Sequence, residues 1–256
     1  MVIGSALMRV LFISQIGEPD CHDLSVYENL VDGQTDIAWF AARLAELGLS
    51  DRVEVTGVDV CAGQRILDPD AFAAAIIGGS YHMVSEARPW QQRILDWLTP
   101  AAQFGRPVLG ICGGHQLMGV HQGARVEPLS RDGYAGTMPI GLTRQGARHW
   151  LFHGVAAETG YHFGNYEHLT TVPAGSTVLA TRPDSPAIAL DYGNNWVGVQ
   201  FHPEMSANAM SASWLPADPI RAGRYSPSPQ AAHLLRNFLD HAGLNANYVI
   251  GSKRTS

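Results

Sequence analysis

The segment "PVLGICGGHQLMG", residues 107–119, places the strongest constraint on what this chain can fold into. Its first five residues are apolar and predict a short buried strand, and a cysteine follows that strand directly. Glycines at positions 110, 113 and 114 allow a sharp strand-to-helix turn to close around Cys112. Such a turn exposes a nucleophile to the free N–H groups of the next helix. A buried structural cysteine is the alternative interpretation, since cysteine is often a small core residue.

Strands and helices alternate along the first half of the chain, and this alternation predicts an α/β fold with a parallel sheet between layers of helices. Apolar runs predict strands at 7–16, 52–60, 71–80 and 107–111, and apolar residues three and four apart predict helices at 34–48 and 89–98 and after Cys112. In the second half, short runs predict antiparallel strands at 177–181, 187–192 and 196–201, which extend the same domain.

The last fifth of the chain is expected to be less regular. Residues 206–229, which are rich in Ser, Pro and Ala, are predicted to be irregular, and residues 228–243 are predicted to form a final helix. The inward face of that helix is predicted to carry Leu234, Leu235, Phe238 and Leu239. We expect a single domain over 1–256, with its core at about 7–240 and a mobile tail at 244–256.

Composition excludes several classes of function. The net charge of -6 offers no basic surface for nucleic acid or an anionic membrane, and no apolar run approaches the ~18 residues of a membrane span. Three cysteines without a CxxC pair argue against a disulfide framework or a zinc site and favour the cytoplasm. Cys21 and Cys61 have no such turn or nearby base and are predicted to be inert. No phosphate-binding glycine motif occurs, so we expect no cofactor and no metal.

A second segment supplies the base that a nucleophile needs. In "WVGVQFHPEMS", residues 196–206, His202 follows a predicted strand directly and Glu204 comes two residues later. Side chains two apart on an extended backbone point the same way, so Glu204 can hold one ring nitrogen of His202 while the other faces Cys112. Pro203 disfavours a helix at His202. Taken alone, this segment fits a surface loop with an ordinary His and Glu equally well.

Together the two segments resemble the class I, or triad, glutamine amidotransferases. "GICGGHQLMG" is similar to that family's G-x-C-x-G-x-Q signature, and "VGVQFHPE" is similar to its second signature. The resemblance covers most of residues 7–240, including "IIGGS" and "LLRNFL". It implies a flavodoxin-like fold, in which a mainly parallel central sheet has helices on both faces and an antiparallel extension.

The resemblance also implies a catalytic triad of Cys112, His202 and Glu204, which releases ammonia and glutamate from glutamine through a γ-glutamyl thioester. The oxyanion hole would use the backbone N–H of Gly113 and one from Gly79 or Ser80. Gln116 matches the substrate-binding glutamine of the family, whereas His115 belongs to the helix and is not assigned a catalytic role.

One segment departs from the family pattern. Many relatives have a His-Gly-Asp or Asn-His-Gly type motif that contacts the amino acid part of glutamine, and this chain has "FGNYEHLTTVP" in that place. Asn165 and Tyr166 are therefore predicted to bind substrate in an altered pocket. Such a pocket is compatible with a γ-glutamyl compound larger than glutamine.

Three functional hypotheses follow. In the first, the chain is a glutamine amidotransferase whose ammonia goes to an acceptor or synthetase on another subunit, because no acceptor domain fits after residue 240. In the second, it is a stand-alone γ-glutamyl hydrolase or peptidase with the same triad. In the third, it is a non-catalytic regulatory subunit, against which the intact set of Cys112, His202 and Glu204 argues.

Overall fold

The computed structural model of the protein describes residues 6–19, 21, 23–129 and 133–245. Its strands are β1 (Met8–Ser14), β2 (Val53–Asp59), β3 (Ala74–Ile77), β4 (Val108–Ile111), β5 (Val126–Pro128), β6 (Tyr134–Met138), β7 (Gly141–Leu142), β8 (Tyr161–Asn165), β9 (Glu167–Leu169), β10 (Thr177–Arg182), β11 (Ser185–Gly193) and β12 (Trp196–Val199). Its α-helices are α1 (Asp36–Glu46), α2 (Pro89–Gln103), α3 (Gly113–His121), α4 (Ala207–Trp214), α5 (Pro219–Ala222) and α6 (His233–His241). Short 3₁₀ turns occupy several connections.

The central sheet has eight strands in the order β2-β1-β3-β4-β12-β11-β10-β7. The first five are parallel, and their order along the sheet is that of a flavodoxin-like fold. The last three continue the sheet in antiparallel fashion, through pairs of β12 with β11, β11 with β10 and β10 with β7. The predicted α/β fold, with its parallel sheet and antiparallel extension, is therefore confirmed.

Alternating side chains of the central strands point to two different cores. In β1, Val10 and Phe12 join a cluster on one face of the sheet, whereas Leu11 and Ile13 join a cluster on the other. Helices α1 and α6 cover the first face, and α2 and α3 cover the second. The strands are apolar on both faces because both faces are buried. The predicted inward face of α6 is buried in the first cluster, through Leu234, Leu235, Phe238 and Leu239.

Helix α1 begins and ends where its sequence predicts. The side chain of Thr35 accepts a hydrogen bond from the backbone N–H of Ala38, which is the usual cap of a helix N-terminus. At the other end, Gly48 has a φ of +65°, a left-handed conformation that glycine adopts without strain. These two residues thus bound the helix, whose first residue is Asp36.

The prediction of irregular structure at 206–229 is wrong. Residues 206–229 contain α4 and α5, because Ser206 accepts a hydrogen bond from the N–H of Ala209, and Asp218 accepts from those of Ile220 and Arg221. Helix α2 also continues through Pro100 to Gln103, beyond the predicted end.

The predicted mobile tail begins too early. Leu244 is buried, and the guanidinium of Arg52 donates hydrogen bonds to the carbonyl of Leu244 and to the side chain of Asn245. The rest of the predicted tail lies outside the described residues. In the part of the chain that is described, no helix has the length and apolar character needed to cross a membrane.

Candidate active site

Cys112 lies at the turn between β4 and α3, with a φ of +50° and a ψ of -105°. This conformation is strained for a residue with a side chain, and it is held by close packing on both sides. A Cβ on Gly110 would lie 2.5 Å from the sulfur of Met118, and one on Gly114 would lie 2.2 Å from the carbonyl oxygen of Ile77. Glycine is therefore required at both positions for the turn to close, as the sequence pattern predicts.

His202 follows β12, the strand next to β4, and contacts both of its predicted partners. Its Nδ1 donates a hydrogen bond of 2.8 Å to Oε1 of Glu204, and the side chain of Cys112 lies beside its ring. Its backbone N–H donates to the carbonyl of His162, which fixes the loop. All three side chains are more than nine-tenths buried. The structure thus brings together the three residues that the two sequence motifs single out.

The imidazole of His202 is held in its charged form. Burial disfavours the charge, but the negative charges of Glu204 and Cys112 and their hydrogen bonds outweigh it, and they raise the pKa of His202 well above its usual value. A protonated ring beside the sulfur places a proton donor next to a potential nucleophile.

The turn after β3 closes the other side of Cys112. A Cβ on Gly79 would lie 2.5 Å from Cε1 of His202 and 3.5 Å from Cβ of Cys112, so this glycine leaves room for both. A Cβ on Gly113 would lie 3.4 Å from the backbone nitrogen of Ser80. The N–H of Gly113 is in the first turn of α3, where N–H groups have no acceptor within the helix. Gly79, Ser80 and Gly113 therefore lie close to Cys112 and to one another, and their part in an oxyanion hole stays a prediction.

Two buried glutamines that the sequence analysis did not single out complete the surroundings of Cys112. The amide of Gln200 donates to the sulfur of Cys112 over 3.5 Å, and its oxygen accepts from Gln116 over 3.1 Å. The amide of Gln15 donates to the carbonyl of Gly78, and so braces the glycine turn. A signal for Gln200 was present, since it is a polar residue in an otherwise apolar strand segment.

The predicted substrate-binding residues line the same cavity, which has a volume of about 240 Å³. The amides of Gln116 and Asn165 both donate to the carbonyl of Glu167. Tyr166 is half-exposed at the rim, and its hydroxyl accepts a hydrogen bond from Arg221. The carboxylate of Glu167 is buried and accepts from both the N–H and the hydroxyl of Ser85.

One wall of the cavity is apolar. Ile16, Trp39, Met205 and Met210 belong to a small hydrophobic cluster, separate from the two main cores, and all four line the cavity. Met205 directly follows Glu204, so this wall begins beside the His202–Glu204 pair.

His115 has no access to this chemistry. Its Nε2 lies 2.9 Å from the carbonyl of Ala187, and its Nδ1 lies 2.8 Å from the hydroxyl of Tyr192. Burial lowers the pKa of His115 to about 4, so the ring is neutral at physiological pH. The ring is a packing element of α3, in agreement with the sequence analysis.

One group of metal-ligating side chains occurs outside the triad. Ligand atoms of Glu18, Cys21 and His82 all lie within 4.8 Å of one another. Both ring nitrogens of His82 have hydrogen-bond partners in the protein, the N–H of Glu18 and the carboxylate of Glu86.

A family model described as Glutamine amidotransferase class-I matches residues 39–221. A GMP synthase [glutamine-hydrolyzing] of Geobacillus kaustophilus is 39% identical over 104 residues, which are 40% of this chain and 20% of the synthase. The chain therefore matches about a fifth of that relative's length. A gamma-glutamyl-L-1-hydroxyisopropylamide hydrolase of a Pseudomonas species is 27% identical over 179 residues, 67% of this chain and 58% of the hydrolase.

Solved structures show the same fold at low identity. The crystal structure of a glutamine amidotransferase from Thermotoga maritima matches with a TM-score of 0.64 and 18% identity, over 95% of this chain and 97% of that one.

Proposed function

The chain belongs to the class-I glutamine amidotransferase family, and from this premise we propose that it hydrolyses the γ-carboxamide of glutamine through a thioester on Cys112. The observation that carries the proposal is the placement of Cys112, His202 and Glu204 next to one another in the wall of an open cavity. A nucleophile, a base and a group that orients the base are the minimum that such covalent catalysis requires.

In the first half of the reaction, the thiolate of Cys112 attacks the γ-carbon of glutamine. The C–N bond breaks, and the leaving ammonia takes its proton from the imidazolium of His202. Because the neighbouring negative charges outweigh burial and raise the pKa of His202 well above its usual value, the proposed resting site contains both the nucleophile and the acid. Glu204 accepts the Nδ1–H throughout and keeps the ring in the orientation that faces the sulfur.

In the second half, the neutral His202 removes a proton from water, and the resulting hydroxide attacks the thioester carbon. The C–S bond breaks, glutamate leaves, and Cys112 and His202 return to their charged pair. In both halves, negative charge develops on the γ-oxygen. The N–H of Gly113 and one N–H of the Gly79–Ser80 turn are the donors proposed to bind it.

The released ammonia is proposed to pass to an acceptor on another subunit. The partial match to GMP synthases supports this reading, because it covers about a fifth of that relative's length.

The test is turnover of glutamine by the purified chain, followed by ammonia and glutamate release in equal amounts. Cys112→Ala is expected to abolish release, whereas Cys61→Ala, which changes a partly buried thiol, is expected to leave it unchanged. A glutamine-like electrophile should add to Cys112, as detected by mass spectrometry of the labelled peptide. Release at the normal rate by Cys112→Ala would disprove the nucleophile assignment. Absence of labelling at Cys112 would favour the regulatory-subunit hypothesis.

A second candidate, hydrolysis of a γ-glutamyl amide with an apolar amine, is favoured by the cavity wall. Ammonia is small and polar and needs no apolar surface, whereas Trp39, Met205 and Met210 offer such a surface beside the residue that protonates the leaving group. The match to a gamma-glutamyl-L-1-hydroxyisopropylamide hydrolase points in the same direction.

A series of γ-glutamyl amides separates the two candidates. If ammonia is the natural leaving group, kcat/KM is highest for glutamine and falls as the amine grows. If the wall binds an alkyl amine, kcat/KM rises from glutamine to the isopropylamide. Met210→Ala should then lower kcat/KM for the isopropylamide about tenfold, the effect of a lost hydrophobic contact, and leave kcat/KM for glutamine unchanged. An unchanged ratio in this variant would reject the wall as the amine site.

A further inference from the structure

Asp36 is a buried carboxyl group in the wall of the cavity that the reaction proposed above does not use. It is the first residue of α1, and it is only 3% exposed. One of its oxygens, Oδ1, accepts hydrogen bonds from the hydroxyl of Ser14 at 2.7 Å and from the N–H of Ile37 at 3.0 Å. A helix N-terminus alone would explain the second bond, but it does not explain a carboxyl group turned into the cavity.

The other oxygen of Asp36 has no hydrogen-bond partner among the described residues, and neither has Oε2 of Glu204. Both oxygens are buried. Because Gly78 has no side chain, there is space beside Oδ2 of Asp36; a Cβ on Gly78 would lie 2.8 Å from that oxygen. Each of the two carboxyl groups thus has one satisfied oxygen and one open oxygen in the same cavity wall.

Charge decides which of the two groups holds a proton. The pKa of Asp36 is raised to about 7. Burial is the main cause, and the charges of Glu204 and Asp59 add to it, whereas the hydrogen bonds from Ser14 and Ile37 act in the opposite direction. Glu204 in turn faces the charged ring of His202. Among the described residues that line the cavity there is no Lys or Arg, so nothing compensates a second carboxylate. Asp36 has no cation beside it in the described part of the cavity wall, so the proton belongs on Asp36.

We propose that Asp36 is a positioning residue of the triad, which keeps its proton and donates it from Oδ2 in a hydrogen bond to the open oxygen of Glu204. The bond satisfies both orphan oxygens and fixes the carboxylate that orients His202. Ser14 and the N–H of Ile37 hold Asp36 in the orientation that points its hydroxyl toward Glu204. This inference rests on the triad roles proposed above.

The inference is tested by exchanging Asp36 for a residue that keeps the donor and for one that removes it. In Asp36→Asn the amide oxygen can accept from Ser14 and Ile37, and the amide N–H can replace the carboxylic O–H toward Glu204. In Asp36→Ala both are lost. The readouts are the rate at which iodoacetamide alkylates Cys112, followed on its peptide at pH 6, and kcat and KM for the best substrate.

Asp36→Asn is expected to keep the wild-type alkylation rate within about threefold, whereas Asp36→Ala lowers it about tenfold, the effect of one lost hydrogen bond to a charged group. The same loss should appear in kcat and leave KM nearly unchanged, because Asp36 acts through Glu204 and does not hold substrate. Equal losses in both variants, or no loss in Asp36→Ala, would overturn the proposal.

A second measurement does not depend on the stability of Asp36→Ala or on any substrate. An infrared difference spectrum between the wild type and the nearly isosteric Asp36→Asn, taken at pH 6, should contain the C=O stretch of a protonated carboxyl group. A carboxylate band in its place would show that Asp36 is ionised and would rule out the donor role. If glutamine and the γ-glutamyl amides are not turned over at all, the proposed function fails, but this spectrum still decides the protonation of Asp36.

Discussion

The imidazole of His202 has an acidic partner on either side, and the two contacts carry different weight in the proposed reaction. The ring moves the proton in both half-reactions, whereas Glu204 only orients the ring. We therefore expect His202→Ala to lose nearly as much kcat/KM as Cys112→Ala, and Glu204→Gln to retain roughly 10–100-fold more activity than His202→Ala.

The matched control for this ranking is His153→Ala, which changes an exposed histidine away from the cavity and should leave kcat/KM unchanged. If kcat/KM of Glu204→Gln were lower than that of His202→Ala, Glu204 would have to take part in proton transfer and not only orient the ring.

The buried carboxyl of Asp36 should also make the stability of the fold depend on pH. Its pKa is about 7 in the folded protein and near 3.8 when exposed, so the folded state binds the proton more tightly. The contribution to stability is present in full below pH 3.8 and is lost as the pH rises to about 7. Asp36→Asn removes this dependence.

The measurement is the difference in melting temperature between Asp36→Asn and the wild type. The melting temperature of Asp36→Asn relative to that of the wild type should be higher at pH 8 than at pH 5. At pH 8 the wild type is destabilised by an ionised buried carboxylate, which the variant does not have. A difference that is constant between the two pH values would show that Asp36 does not titrate in this range.

The three residues that the structure brings together, Cys112, His202 and Glu204, could be predicted because each of their two motifs is local. Cys112 is recognisable from its glycine neighbours, and His202 and Glu204 stand two residues apart after a strand. Asp36 and Gln200 were not found, since each acts on a residue far away in the chain. In sequence, Asp36 looks like any acidic residue in the first turn of a helix; only the sheet order brings it to the cavity.

At the scale of elements, the close packing of α3 on β12 depends on a single glycine. A Cβ on Gly198 would lie 2.4 Å from Nδ1 of His115 and 2.9 Å from Cε2 of Tyr192. Both neighbours are buried and hydrogen-bonded to each other, so neither can give way cheaply. Gly198→Ala is expected to lower the free energy of unfolding by about 1–3 kcal/mol, the usual cost of overpacking a core.

Urea denaturation measures this loss, with Gly223→Ala as the matched control. At Gly223 the nearest atoms would lie 3.7 Å from the new Cβ, an ordinary contact distance, so little change is expected. Equal stability of the two variants would mean that α3 can move away from β12 without cost.

The elements that were predicted correctly have strong periodicity, and the missed helices α4 and α5 have caps without it. The apolar runs of β1 and β4 and the capped, amphipathic α1 follow directly from the sequence. Helix α4 was missed because only Ala209 and Met210 of its eight residues are buried, which leaves no apolar stripe to detect. Helix α2 was predicted to end at residue 98, but it continues through Pro100, although a proline inside a helix removes a backbone hydrogen bond.

At the scale of the whole molecule, the site lies where a strongly packed part of the fold meets a weakly packed one. Cys112 and His202 follow strands in the middle of the sheet, between two large cores. The apolar wall of the cavity, by contrast, rests on the small cluster of Ile16, Trp39, Met205 and Met210. Segments with few buried apolar contacts open locally at a lower free energy than the core.

This difference in packing predicts that α4 exchanges its amide hydrogens by local opening, faster than β1, β3 and β4. Met210→Ala should increase exchange in residues 207–222 about tenfold or more, as expected for a truncated buried side chain, and leave exchange in the central strands unchanged. Leu235→Ala, a matched truncation in a main core, should instead increase exchange throughout. Hydrogen exchange followed by mass spectrometry distinguishes these outcomes. If α4 is as strongly protected as β4 in the wild type, the cavity wall belongs to the same cooperative unit as the sheet.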